Sequence, residues 1–112
     1  MDCLFCKIIA GEIPSEKIYE DEEMFAFKDI DPQAPVHFLL VPKKHIKSAD
    51  DLKEEDAELI GHIFLKAAEI AKSLGCENGY RIVNNCKEDG GQSVDHLHFH
   101  ILGQRSLQWP PG

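Results

Sequence analysis

Basic residues are scarce in this chain: 12 Lys and Arg stand against 20 Asp and Glu, a formal net charge of −8. That shortage argues against binding long nucleic acids, whose affinity comes largely from Lys and Arg neutralising phosphates. It does not bar a mononucleotide held by local dipoles and a few donors. Also missing are an apolar run near the ~20 residues a membrane helix requires and a charged-then-apolar leader. The expectation is an intracellular, cytoplasmic protein with no membrane partner. Cysteines number only four, and they do not read as a disulfide framework. Stability must then come from a core, and 112 residues suffice for a single domain spanning 1–112. Most of the acidic excess lies in Glu16 to Glu23 and Asp50 to Glu58, which read as solvated faces.

Two of the four cysteines do carry a pattern. Cys3 and Cys6 form a C-x2-C pair, whereas Cys76 and Cys86 have no partner spacing. Such a pair is half of a zinc site, two reduced structural thiols, or a redox couple. A redox pair usually opens a helix after a strand, and this one sits three residues into the chain. Zinc would need two more ligands, which histidines can supply.

The densest chemistry lies near the other end. His96-Leu97-His98-Phe99-His100-Ile101-Leu102 alternates imidazole with large apolar side chains, the period of a half-buried strand. As a strand it places three histidines on one face and Leu97, Phe99 and Ile101 toward a core. Same-face neighbours stand roughly 6.6 Å apart, giving a row about 13 Å long that can share nucleophile, ligand and proton-handling roles. A row of that length is too long for all three rings to meet on one catalytic zinc. The preceding Asp89-Gly90-Gly91-Gln92-Ser93 combines two glycines with an amide and a hydroxyl, a turn able to aim backbone N–H groups at an anion. Asn85, at the end of the preceding strand, adds a polar donor.

Local patterns set the rest. Phe5 to Ala10 reads as a helical turn stopped by Gly11 and Pro14, and 17–20 with 24–28 as a hairpin. Val36 to Val41 is a largely apolar central strand ended by Pro42. Ile60, Ile63, Phe64, Ala67, Ile70, Ala71 and Leu74 make one apolar stripe on a long helix, with Gly75 suited to its C-cap. Tyr80 to Asn84 is a fourth strand and the histidine row a fifth. The order β-β-β-α-β-β predicts an α+β domain with helices on one face of an antiparallel sheet. Its open edges invite pairing across a two-fold axis.

Phe5-Cys6-Lys7-Ile8-Ile9, Glu12-Ile13-Pro14, Asp29 to Pro35, Pro42-Lys43-Lys44-His45-Ile46, Gly90-Gly91-Gln92-Ser93-Val94 and the terminal Trp109-Pro110-Pro111-Gly112 occur in that order around the histidine row. Together they resemble the histidine triad family, in its Hint branch of nucleotide-binding proteins, over nearly the whole chain. The resemblance implies a homodimer whose five-stranded antiparallel sheets join, each subunit with one long and one short helix. It implies a hydrolase acting at the α-phosphorus of purine nucleoside phosphoramidates of the adenosine monophosphate–amine type, with AMP- or GMP-like partners. In that reading His98 is the nucleophile and forms a nucleotidyl-histidine that water cleaves. Its other nitrogen must then donate to a fixed acceptor. The same resemblance gives His100 and His37 to phosphate binding and Ser93 to the leaving group. Asn85, Gly91 and Gln92 become polar phosphate and leaving-group contacts. Asp29 takes the ribose hydroxyls, and Phe5, Ile13, Phe27, Ile30 and Leu39 form the apolar slot for the base. Phe27 and Leu39 read equally well as core.

Some members of this family hold a structural zinc, and the matching positions here are Cys3, Cys6, His45 and His96. His96 is then a ligand anchoring the catalytic strand rather than a catalyst. The tail, 103–112 with Trp109, is expected to reach the dimer's active site. Asp95 departs from the aromatic residue many relatives carry and bears on leaving-group preference. His62, outside every motif, reads as a surface histidine. Two alternatives accompany this reading: a dinucleoside polyphosphate hydrolase of the Fhit branch, and a nucleotide-binding scaffold with incidental hydrolysis.

Overall fold

A computed structural model describes residues 2–112. Five strands form one antiparallel sheet: β1 (Lys17–Glu20), β2 (Met24–Lys28), β3 (Val36–Pro42), β4 (Tyr80–Val83) and β5 (Phe99–Gly103), in the order β1-β2-β3-β5-β4. β3 lies in the middle because it is the most apolar strand, buried from His37 to Pro42. The helices are α1 (Leu4–Ile9), α2 (Ala57–Ser73) and α3 (Lys87–Gly90), with short 3-10 turns at Ala49–Asp51 and Glu54–Asp56. Among the described residues no helix is long and apolar enough to cross a membrane.

Alternation along the strands sorts two cores. Met24, Ala26, Phe38, Leu40, Leu97, Phe99 and Ile101 pack against Ile63, Ala67, Ile70 and Ala71 of α2. Phe25, Phe27, Leu39 and Val41 point the other way and meet Cys3, Phe5 and Ile8 of α1. The two helices therefore lie on opposite faces of the sheet, not on one as the element order suggests. A six-residue helix is covered by four strand side chains, so the second layer costs the sequence little beyond the Phe5 and Ile8 anchors. The α2 stripe is narrower than its spacing implies: Phe64 is half exposed, meeting Phe99 edge-on with ring centroids 5.6 Å apart. Gly75 follows α2 at φ +90°, a conformation that L side chains rarely adopt.

The fifth strand starts three residues later than the alternation predicts. β3 and β5 pair from Val36↔Gly103 to Leu40↔Phe99, so Pro42 falls opposite Leu97 in the continued register. Proline has no N–H to extend the ladder. Leu97 N–H turns instead to the Ile46 carbonyl at 2.6 Å, and His96 N–H to Val94 at 2.8 Å. The alternation of faces survives: Leu97, Phe99 and Ile101 are in the α2 core and the histidines face α1. The segment read as an anion-binding Gly-Gly turn begins as the one-turn helix α3, which Gly91 closes at φ +74°.

Candidate active site

The three histidines of the row have different neighbours; carbonyl acceptors assign the protons of His96 and His98, and a donor chain through His37 assigns that of His100. A carbonyl oxygen can only accept. His96 Nε2 lies 2.8 Å from the Pro42 carbonyl, so it carries the proton and leaves Nδ1 as a bare lone pair. His98 Nδ1 lies 2.7 Å from the His96 carbonyl, so there the proton is on Nδ1 and Nε2 is bare. Gln33 N–H donates to His37 Nδ1 at 3.0 Å, leaving the neutral His37 ring with its proton on Nε2. That proton is donated to His100 Nδ1 at 2.9 Å, so the neutral His100 ring presents its own Nε2–H as a donor. The fixed acceptor that a nucleophilic His98 requires is thus the main chain two residues back.

Electrostatics favours the neutral rings this scheme uses. Burial pushes His98 below its usual range, against the hydrogen bond to His96 and the charge of Asp29. His100 is pushed down to about 4 by burial and by the neighbouring His98 and His37 rings, again against Asp29. Burial also lowers His37, with Asp29 and Asp31 opposing. Asp29 Oδ2 stands 3.4 Å from His37 Nε2 and 3.8 Å from His100 Nδ1.

Beside these rings opens a cavity of about 380 Å³ lined by Leu4, Phe5, Ile8, Ile13, Pro14, Phe27, Asp29, Ile30, Leu39, Ser93, Val94, His98 and His100. Its size is in the range of small-molecule sites. The wall is apolar and the polar groups sit at one end. Phe5 edges onto both His98 (centroids 5.0 Å) and Phe27 (5.6 Å), so α1 forms the wall nearest the nucleophile. Ile30 is almost wholly exposed at the mouth, and Ser93 is exposed at the rim.

A second set of donors lies on the far side of His96. Cys3 Sγ to His96 Nδ1 is 3.2 Å, Cys6 Sγ to His45 Nδ1 3.4 Å, Cys6 Sγ to His96 Nδ1 3.6 Å, and His45 Nδ1 to His96 Nδ1 3.2 Å. Zinc at ~2.3 Å from sulfur and ~2.05 Å from nitrogen in a tetrahedron would place S···N edges at about 3.6 Å and N···N edges at about 3.4 Å. The four side chains fit that ion, and the N–H of His96 already has the carbonyl partner that metal-bound histidines use. Asp29, His37 and His100 also bring three ligand atoms together. There the second nitrogen of His37 faces an N–H donor, so a His37 ligated through Nε2 would have no acceptor for its remaining proton. That cluster suits a hydrogen-bond relay rather than a metal.

Not every residue read from the sequence meets the cavity. The side chain of Gln92 is engaged away from the cavity, accepting from Lys87 N–H and donating to the Val94 carbonyl in its own loop and to the Lys47 carbonyl in the segment after β3. Gly91 closes α3, and Asn85 sits at the neck of that loop, its main chain beside Gly90. Trp109 is 85 % exposed, so the lone indole does not pack on its own chain. Arg81 holds the tail through the Gln108 and Pro111 carbonyls. His62 is a surface residue paired with Glu23 at 2.9 Å. Three contributors escaped the sequence reading: the Pro42 carbonyl, Gln33 N–H, and Asn84, whose Nδ2–H donates to the His98 carbonyl at 2.9 Å. Only Asn84 left a trace, as the polar residue that follows Ile82-Val83 at the end of the fourth strand.

The sequence profile of the HIT domain matches residues 10–107. An uncharacterized HIT-like protein of Synechocystis sp. is 50% identical over 111 residues, 99% of this chain and 97% of its own. A HIT family hydrolase from Legionella pneumophila superposes with a TM-score of 0.96 at 49% identity, covering 99% of this chain and 100% of that one. A histidine triad protein from Clostridium difficile gives 0.93 at 50% identity, covering 96% and 95%.

Proposed function

This chain belongs to the HIT domain family, and on that premise we propose that it is a nucleotide hydrolase cleaving purine nucleoside phosphoramidates through a nucleotidyl-His98 intermediate. One observation carries the reading. His98 Nδ1–H is fixed on the His96 carbonyl, and the ring lines the cavity beside His100 and Ser93 with Nε2 bare. The base lies in the slot of Phe5, Ile13, Phe27, Ile30 and Leu39, and the ribose hydroxyls bond Asp29. The α-phosphoryl group then meets His100 Nε2–H.

Nε2 attacks phosphorus and the P–N bond to the amine breaks, with Ser93 passing its hydroxyl proton to the departing nitrogen and taking one back from water. The positive charge that forms on the imidazole is stabilised by its bond to the His96 carbonyl, since charge-assisted hydrogen bonds are roughly twice as strong as neutral ones. Water then attacks phosphorus, the P–Nε2 bond breaks, and the nucleoside monophosphate leaves. Neutral His100 donates its Nε2–H to the phosphate without competing for the proton, and His37 fixes that tautomer through its bond to His100 Nδ1. Dividing one displacement into two is the gain of covalent catalysis.

Cys3, Cys6, His45 and His96 hold zinc in this reading. When bound, the ion supplies a structural cross-link between α1 and the segment before β5, and no chemistry. The active form is a homodimer joined along β4, a reading supported by the edge position of β4, the exposed Tyr80 and the exposed Trp109. The setting is cytoplasmic. Alkaline quench of adenosine 5′-phosphoramidate turnover, under which a P–N bond to histidine survives, should trap protein carrying one nucleotidyl group on His98, and His98→Asn should form none. Multiple turnover by pure His98→Asn protein would refute the mechanism. Faster cleavage of a diadenosine polyphosphate than of the phosphoramidate would replace the substrate class.

A further inference from the structure

His98 stands outside the sheet that positions it. β4 and β5 stop pairing at Val83↔His100, and β3 and β5 at Leu40↔Phe99. The residue is one place beyond one ladder and two beyond the other. In the continued β4 register Asn85 would face it, but there the chain has already turned away toward α3. A Cβ on Gly90 would come within 3.4 Å of the Asn85 carbonyl carbon, so the Asn85 main chain is committed to the neck of that loop. The His98 carbonyl is met instead by a side chain, the Asn84 amide at 2.9 Å. Asn84 is half-buried and does not line the cavity.

We propose that Asn84 is a positioning residue for His98, its side-chain amide standing in for the ladder hydrogen bond that the sheet does not extend that far. The assignment rests on the reading of His98 as the nucleophile. The bond between His98 Nδ1–H and the His96 carbonyl closes a ring across only two residues, so its geometry depends on the main-chain angles at 97 and 98. Asn84 fixes the far side of that unit by holding the peptide that follows His98. With the amide removed, the carbonyl is free to turn and the imidazole can swing off its acceptor. Productive attack needs the reacting atoms within ~3–3.5 Å, and a misplacement of about 1 Å can cost ~10²-fold. Nucleoside binding uses Asp29 and the apolar wall, which Asn84 does not touch.

The test compares Asn84→Ala with Asn84→Asp, which keeps the shape but turns an acceptor toward the carbonyl. Single-turnover alkaline quench gives the rate of nucleotidyl-histidine formation, calorimetry the Kd for adenosine monophosphate, and ¹⁵N NMR at one neutral pH the proton position on the His98 ring. Both variants should form the adduct about 10- to 100-fold more slowly, with Kd within about twofold of wild type and the ring changed from a single Nδ1–H form to a mixture. Either folded variant is sufficient. An adduct rate within about twofold of wild type, or a loss of rate matched by an equal loss of affinity, overturns the proposal. Absence of the adduct from wild-type protein instead removes the nucleophile reading. The ring spectrum then decides on Asn84 alone, an unchanged single form in the variants overturning its role.

Discussion

Acid should unfold this protein in part through one ring, that of His100. An unfolded chain protonates histidine near 6.5, whereas the folded ring, 22 % exposed and crowded by His98 and His37, resists protonation until about 4. The contribution is therefore fully present above about pH 6.5. It is lost progressively as pH falls toward about 4, because in that window the unfolded state binds a proton that the folded state refuses. At about 1.36 kcal/mol per pH unit the gap is worth ~3 kcal/mol at most. The three rings repel one another only when charged, so that figure bounds the group rather than adding to separate terms for His98 and His37. The assay is urea unfolding of wild type and His100→Asn between about pH 7 and pH 4.5. Wild type should lose ~1–3 kcal/mol more than the variant over that interval. Any metal release on acidification occurs in both proteins and cancels in the difference. The change that losing His100 makes in the titration of His98 and His37 is counted within it, because the rings titrate as a group. Equal losses in the two proteins would refute the idea that burial among histidines holds His100 neutral.

Two further outcomes are expected. Protein purified without added metal should carry near one zinc per chain by elemental analysis, and Cys3→Ser combined with Cys6→Ser should lose it and melt earlier without unfolding, because both cores remain. Undiminished stability of metal-free protein would reject the cross-link. Deleting residues 107–112 should leave a folded dimer whose kcat/KM shifts strongly across a series of leaving amines and little between adenine and guanine substrates; an unchanged amine profile would assign the tail to packing alone.

What the sequence reveals here is what side chains of a single type reveal by spacing. The alternation from His96 to Ile101 assigns faces correctly because period two persists past the last ladder pair. It overstates the strand because a hydrogen-bonding defect at Pro42, fifty-odd residues away, ends the pairing. The four metal-side residues, suggested by resemblance, do converge in space. By contrast, the proton positions on the rings are set by main-chain groups of Pro42, His96 and Gln33, which every residue type possesses and no pattern advertises. Gln92 illustrates the converse: an amide in a suggestive motif whose bonds go to main-chain groups of Lys87, Val94 and Lys47.

The middle strand also constrains how such a protein can change. His37, near one end of β3, fixes the ring that would face phosphate, and the Pro42 carbonyl at the other end orients the ring that faces the two cysteines. Five residues, ~17 Å at ~3.3 Å each, separate the two duties. Inserting or deleting one residue between them would turn either His37 or the Pro42 end to the opposite face, because side chains alternate. β3 thus works as a ruler with two marks. The strand can be edited only by substitution, or in paired steps that keep both marks in phase.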